Sequence, residues 1–483
     1  MRARWCGSLE DMLHPLLPNY WEAPRWLKAS AGRVYNLLPE RYRLGTAYYW
    51  FLHELAAAVD GASARRIARS KLSETLGWTI ETVPAYQPYR SLLRHAQDPV
   101  ELLLRLPVSA KTDMNRHPER YLSAALPASQ RLKMVTGGSS RHPLAFYLEK
   151  HVTRPKEQAF MHQFQSRVGV TPLDLTLSLR GRPVGGSHRE DGALWTYEPI
   201  KRQLIFSSTR LEERCMPRYV EALLHHRPAF VEAFPSLLYP LARWLKSHPV
   251  QGWDASLRGV LLYSENVYGF QMRLFRDVFR CPVLKHYGQS ERVLMAASMP
   301  DDERYFFWPT YGWFELLDSH DRPVTRPGVL GHIVGTSFDN RAMPFVRYRT
   351  GDLAVLSEAG HPQLPGFTAC ERVEGRMQEF LIDRDRRAIS LANIGAAHIP
   401  AFSRIDAMQY QQDCAGELTV KFVTRTSLTP EEREHMARAI GEKAGCDVTV
   451  VQVDAIEKTP RGKHRMLIQN LDIARHVGPE LTR

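Results

Sequence analysis

The seven residues Arg347-Tyr348-Arg349-Thr350-Gly351-Asp352-Leu353 decide how the rest of this chain is read. Upstream stands His286-Tyr287-Gly288-Gln289-Ser290-Glu291, and downstream Pro460-Arg461-Gly462-Lys463. Alone each is weak, because Thr-Gly-Asp is an ordinary turn and Arg-Gly-Lys an ordinary basic loop. Their order and spacing in one chain carry the signal. A further segment, Val135-Thr136-Gly137-Gly138-Ser139-Ser140-Arg141-His142-Pro143, joins two glycines to small hydroxyl residues. Glycines let a backbone approach a polyphosphate, and hydroxyls and N–H groups hydrogen-bond its oxygens, although a surface turn uses the same residues. It is not the common phosphate loop, which needs Gly-x-x-x-x-Gly-Lys followed by Ser or Thr.

The chain has 483 residues, 44% of them hydrophobic. That exceeds the size at which a single core keeps growing, so two or more domains are expected. Cys6, Cys215, Cys281, Cys370, Cys414 and Cys446 are scattered with no Cys-x-x-Cys pair, which argues against a zinc ribbon or a disulfide scaffold and for a cytoplasmic location. Adjacent His225-His226 lack further ligands at metal-binding spacing. The start, with Arg2, Arg4, Glu10 and Asp11, has no apolar signal core, and the apolar stretch Leu44 to Val59 is broken by His53 and Glu54. Neither export nor a membrane span is expected. The formal charge of +12 is spread along the chain, and no zinc-finger or aromatic-rich basic signature accompanies it, so nucleic acid is not the expected partner.

Arg41 to Trp78 reads as helices. Between Thr136 and Tyr287 apolar runs alternate with helical patterns, the mark of an α/β domain. Leu173 to Leu179 and Gln203 to Ser207 read as strands, while Arg218 to His226 and Pro235 to Lys246 carry apolar residues at helical spacing. Arg304 to Leu356, rich in β-branched and aromatic residues broken by Gly and Pro, reads as a strand-rich subdomain. After Gly375-Arg376-Met377 a separate α+β pattern begins: strands at Ala407 to Gln411, Leu418 to Val423 and Val448 to Val453, and a helix capped by Thr429 with Pro430 in its first turn and Glu432 three residues past the cap.

In this order the segments resemble the adenylate-forming superfamily of acyl-CoA synthetases and peptide-synthetase adenylation domains. Within it they are most similar to the phenylacetate-CoA ligase and CapK-type group associated with polysaccharide biosynthesis. The resemblance runs from about Leu106 to Leu471 and includes Phe234-Pro235-Ser236, Ser264-Glu265 and Asn340-Arg341-Ala342-Met343-Pro344. It implies a large multi-subdomain α/β domain, placed at residues 1–376, and a small mobile α+β domain at residues 377–483; residues 1–105, which the resemblance does not cover, read as a helical N-terminal part.

The resemblance also implies roles. Thr136, Gly137, Gly138, Ser139 and Ser140 would form the ATP phosphate loop, with Arg141 in place of a family glycine. Ser264, Glu265, Tyr287 and Gly288 would line the adenine side, and Asp352 would take the ribose hydroxyls. Glu291 would hold Mg²⁺, an ion that uses one or two carboxylates plus substrate phosphates. Arg372 would contact ribose or phosphate near a hinge at Gln378, and Lys463 would bring positive charge to the reacting phosphate. Phe234, Tyr239, Tyr268 and His286 are candidates for the wall of the acyl pocket, although such residue types more often belong to a core. A serine-hydrolase reading of Gly288-Gln289-Ser290 fails because Arg292 stands where a nucleophile elbow needs glycine. The implied cofactors are ATP, Mg²⁺ and CoA, and an amine, an amino sugar or a carrier-protein thiol could replace CoA as acceptor. A non-catalytic nucleotide-binding scaffold is the reading of a different class, motivated by Arg141 and Gln378.

Overall fold

The structure, a computed structural model, describes residues 7–16, 19–20, 23–136, 144–181, 184, 193–208, 210–358, 360–364, 366–376, 380–391, 394, 404–424, 426–458 and 465–471. One sheet of twelve strands dominates it. In chain order these are β1 (Thr176–Leu179), β2 (Trp195–Glu198), β3 (Gln203–Phe206), β4 (Phe230–Ala233), β5 (Gly259–Tyr263), β6 (Val283–Gly288), β7 (Met295–Met299), β8 (Asp302–Phe307), β9 (Gly312–Leu317), β10 (Leu330–Ser337), β11 (Tyr348–Leu356) and β12 (Thr368–Arg376). Across the sheet they lie in the order β9-β10-β11-β12-β8-β7-β6-β5-β4-β1-β3-β2.

The run from β6 to β3 is parallel. Strands in such a sheet are covered on both faces and read as nearly continuous apolar runs. Accordingly every residue of β4 and β5 is buried. The crossovers include helices with an apolar stripe: α5 (Met216–His226), α6 (Pro235–Ser247) and α7 (Gly269–Phe279), numbered after α1 (Arg25–Leu37), α2 (Thr46–Ala57), α3 (Gly61–Thr82) and α4 (Thr153–Ser166). From β7 onward the pairing is antiparallel, and the strand-rich stretch expected over Arg304 to Leu356 lies in this part. Strand β1 begins three residues later than its apolar pattern, because Thr171 donates from both N–H (2.7 Å) and Oγ1 (2.8 Å) to Asp174 Oδ2 and holds a turn.

The expected helices over residues 41–78 form, and a buried charge cluster ties them to the sheet. Lys71 Nζ lies 2.7 Å from both Glu54 Oε1 and Asp339 Oδ2. Lys156 Nζ of α4 lies 3.2 Å from the same Asp339 oxygen and donates to the carbonyls of Tyr311 (2.6 Å) and Phe338 (2.9 Å). Burial pulls the Lys156 ammonium down to about 8.

Residues after Phe380 have their own core, in which Met408, Val420, Phe422, Met436 and Ile440 meet. Strands β13 (Ile405–Gln412), β14 (Glu417–Thr424), β15 (Asp447–Gln452) and β16 (Leu467–Gln469) lie in the order β15-β14-β13-β16, with α8 (Pro430–Ala444) between β14 and β15 in the chain. The α8 cap is the one its sequence announces: Glu432 N–H donates to Thr429 Oγ1 (3.2 Å) and Thr429 N–H to Glu432 Oε2 (2.9 Å). Arg243 of α6 joins the two parts through Ile405 O (2.5 Å) and Asp406.

Candidate active site

Ligands of open parallel sheets bind beyond the carboxyl ends of the strands. Here those ends present Gly288 of β6, Ser264 just after β5 and Phe234 just after β4. Tyr287 and Asp352, 65 residues apart, meet there: Tyr287 Oη donates to Asp352 Oδ2 at 2.8 Å. Gln289 Nε2 donates to the same phenol oxygen at 2.6 Å, while Gln289 Oε1 accepts from Leu294 N–H at 3.1 Å. Burial and the Asp352 carboxylate push the Tyr287 phenol well above its usual value, so it stays a donor. Thr350 Oγ1 accepts from Asp352 N–H (3.1 Å) and donates to Ile333 O (3.0 Å), which fixes the Thr-Gly-Asp turn.

Glu291 is nine-tenths buried and accepts from Tyr348 Oη at 3.1 Å. Burial raises its carboxyl above the usual range, with Asp352 adding to the rise and Lys111 opposing it. A buried carboxylate short of positive charge is what a phosphate-borne cation would relieve. Glu291 therefore fits the magnesium role, although among the described residues no group of three or more His, Cys, Asp or Glu forms a ready-made metal site.

Arg347, at φ 45°, forms a buried pair with Glu315 (2.9 Å) and donates to Leu106 O. Ser109 clamps the same strand by bonding Arg347 O (3.0 Å) and Arg349 N–H (2.9 Å). The first arginine of the decisive stretch thus supports the site rather than entering it.

The other expected residues fall in several places. Thr136 closes a hairpin, its Oγ1 accepting from Leu144 N–H and its N–H donating to Leu144 O, both at 2.9 Å. Gly137, Gly138, Ser139, Ser140, Arg141, Gln378 and Lys463 lie outside the described residues. Ser264, in the left-handed region at φ 65°, borders the cavity described below. Glu265 accepts from Ser236 N–H and Oγ, both at 2.9 Å, so its charge sits on the N-terminus of α6. Arg372 pairs with the buried Glu374 and is half-exposed.

Beside the Tyr287–Asp352 edge opens a chamber of about 2370 Å³. Its walls are the sheet residues Glu232, Tyr263 and His286, residue Arg180 beyond β1, α4, and the helices before Leu44. Of the four residues expected around the acyl group, His286 lines this chamber. Its ring lies so close to Gly288 that a Cβ there would meet His286 Cε1 at 2.9 Å, and burial holds the imidazole neutral. Phe234 instead packs edge-on to Tyr263 in the core, Tyr239 against Phe270, and Tyr268 against the C-terminal core. Apolar side chains at strand ends and helix starts are drawn to whichever core is adjacent, and spacing alone does not say which.

Gln289, Tyr348, Arg180 and Glu232, which these contacts and walls also involve, were not among the residues expected from the sequence. The available signal was Glu232 inside Phe230-Val231-Glu232-Ala233, a carboxylate in a strand that is otherwise all apolar.

No protein-family model matches the chain. Over 174 residues, 35% of this chain and 38% of the relative, it is 27% identical to the phenylacetate-coenzyme A ligase of Pseudomonas putida, so the match spans well under half of that protein. A crystal structure of 2-hydroxyisobutyryl-CoA ligase in the postadenylation state superposes with a TM-score of 0.63 at 19% identity, covering 87% of this chain and 92% of that one. An open conformation of the same ligase, with its acyl-AMP and CoA, gives 0.51 at 18% identity over 85% and 92%. The chain thus shares the α/β fold of adenylate-forming CoA ligases, with a large-sheet part and a smaller C-terminal part.

Proposed function

We propose that the chain activates a carboxylic acid with ATP and then transfers the acyl group to CoA. The observation that carries this reading is the Tyr287–Asp352 pair at the carboxyl edge of the parallel sheet, with Glu291 buried behind it. In the first half-reaction a substrate carboxylate oxygen attacks the α-phosphorus of ATP, and pyrophosphate leaves with the bonding electrons. Tyr287 would face adenine, Asp352 would accept from the ribose hydroxyls, and Glu291 would hold a Mg²⁺ that offsets phosphate charge. Thr136 to Ser140 would meet the phosphates, Arg372 would swing from Glu374 toward them, and Lys463 would stabilise charge developing on the α-phosphate. In the second half-reaction a thiolate sulfur attacks the acyl carbon and AMP leaves. A hinge at Gln378 would let the residues from 377 onward withdraw Lys463 between the two.

The sequence motifs' resemblance to the CapK-type group would place the reaction in a cytoplasmic step of cell-surface polysaccharide synthesis, with an amine or amino sugar as the second acceptor reading. Carboxylate-dependent exchange of labelled pyrophosphate into ATP tests the first half-reaction, and the product mass with CoA or an amine identifies the acceptor. A chain that binds ATP yet gives no exchange with any acid is the scaffold, not the ligase.

A further inference from the structure

A helix packed into a protein interior normally offers one apolar stripe. Helix α4 has two faces of different character. Lys156, Ala159, Phe160 and Phe164 are fully buried, whereas Arg154, Glu157, Gln158, Met161, His162 and Gln165, spaced three and four apart, line the chamber. Opposite them Glu232 stands in an otherwise apolar strand and gathers Arg180 Nη1 (2.9 Å), Gln165 Nε2 (3.2 Å) and Tyr263 Oη (3.4 Å). The Arg180 guanidinium lies 4.6 Å from the Tyr263 ring centre, and its side chain remains a third exposed toward the cavity it lines.

Charges and amides in such a wall cost free energy to bury, and an alkyl or aryl group would be better served by Val, Leu or Phe in their place. Among the buried atoms of chamber residues that have no hydrogen-bond partner in the described residues are His286 Nε2 and Arg292 Nη1. Orphaned buried polar groups are rare and ask for a ligand or water. The volume, about 2370 Å³, also exceeds the several hundred Å³ typical of small-ligand pockets.

We propose that this chamber selects a carboxylic acid whose tail carries hydroxyl, amine or amide groups, read by the Arg180–Glu232 pair together with His286. The inference rests on the adenylation reading and deepens it by naming the class of acid. Arg180 would donate to a tail oxygen, Glu232 would accept from a tail hydroxyl or amine, and neutral His286 would serve the end nearest the carboxylate.

The test is a matched series in the pyrophosphate-exchange assay: hexanoate, ω-hydroxyhexanoate, ω-aminohexanoate and gluconate, compared by kcat/KM. The parent should prefer at least one polar acid over hexanoate by about 10² or more, because sites built around hydrogen bonds reject analogues that leave them unpaired. The double variant Arg180→Met with Glu232→Leu removes both charges and orphans neither. It should lower the ratio of kcat/KM for the preferred polar acid to that for hexanoate by about tenfold or more, with ATP binding by titration as the check on the fold. Should the double variant not fold, Glu232→Gln should lower the ratio on its own. Preference of the parent for hexanoate, or a preference unchanged in the variants, overturns the inference and leaves adenylation standing. No exchange with any acid removes the adenylation reading itself.

Discussion

The proposed nucleotide face and the proposed acyl chamber adjoin on the same sheet edge but are built in opposite ways. The nucleotide face draws on two short segments, 286–291 and 347–353, whose side chains close on one another: Tyr287 with Asp352 and Gln289, Glu291 with Tyr348. The chamber draws single residues from strands β4, β5 and β6, one face of α4 and the N-terminal helices, and leaves buried donors and acceptors open. A face that satisfies its own hydrogen bonds presents one fixed shape, suited to a constant partner such as ATP. A wall with open polar groups is suited to the partner that varies from one ligase to another.

The largest expected effect belongs to neither wall. Lys463→Ala should lower adenylation by about 10²–10³, roughly 3–4 kcal/mol, as loss of one preorganised charge does. The same variant, given presynthesised acyl-adenylate, should transfer the acyl group at the parent rate. Equal loss in both assays would contradict withdrawal of the lysine between half-reactions.

Next comes the anchoring of the chamber. Lys156→Met leaves Asp339 with Lys71 as its remaining cation and strips the carbonyls of Tyr311 and Phe338 of their donor. The cost should be about 3 kcal/mol in denaturant unfolding, near the lower end for breaking a buried pair. A loss below about 1 kcal/mol, the range of an exposed ion pair, would mean that α4 is held mainly by its apolar stripe.

Asp352→Ala should weaken ATP binding by about 10–100-fold, the scale of hydrogen bonds to a charged group, with the fold intact. Unchanged affinity in isothermal titration would take Asp352 out of the nucleotide face. Glu265→Gln is the smallest change and distinguishes support from contact. Because Glu265 bonds Ser236 at the start of α6, the variant should lose about 1 kcal/mol of stability, as a lost helix cap does, and keep its ATP affinity. The reverse pattern, weaker ATP binding at unchanged stability, would return Glu265 to the adenine side.

The same contrast explains what the sequence disclosed. The α/β class, the strand-rich stretch and the Thr429 cap were legible because each is a local pattern of period, turn or spacing. Tyr287 and Asp352 were legible because each sits in a recognisable segment, yet the hydrogen bond between them spans 65 residues and follows only from the pairing of the strands. The chamber was the least legible part. Phe234, Tyr239 and Tyr268, candidates for the pocket wall, pack into cores, while Glu232 and Arg180 belong to no motif and meet only because β1, β4 and β5 lie side by side. Arg347 shows the converse, a motif arginine whose partner Glu315 makes it a support.

The central claim is that ATP is cleaved by attack of a carboxylate on the α-phosphorus. An acid active in exchange, carrying heavy oxygen in its carboxylate, should be turned over with ATP and CoA, and the AMP analysed by mass spectrometry. The account predicts one labelled oxygen in AMP and none in phosphate. Label in inorganic phosphate with ADP as the nucleotide product would mean attack on the γ-phosphorus and would contradict it.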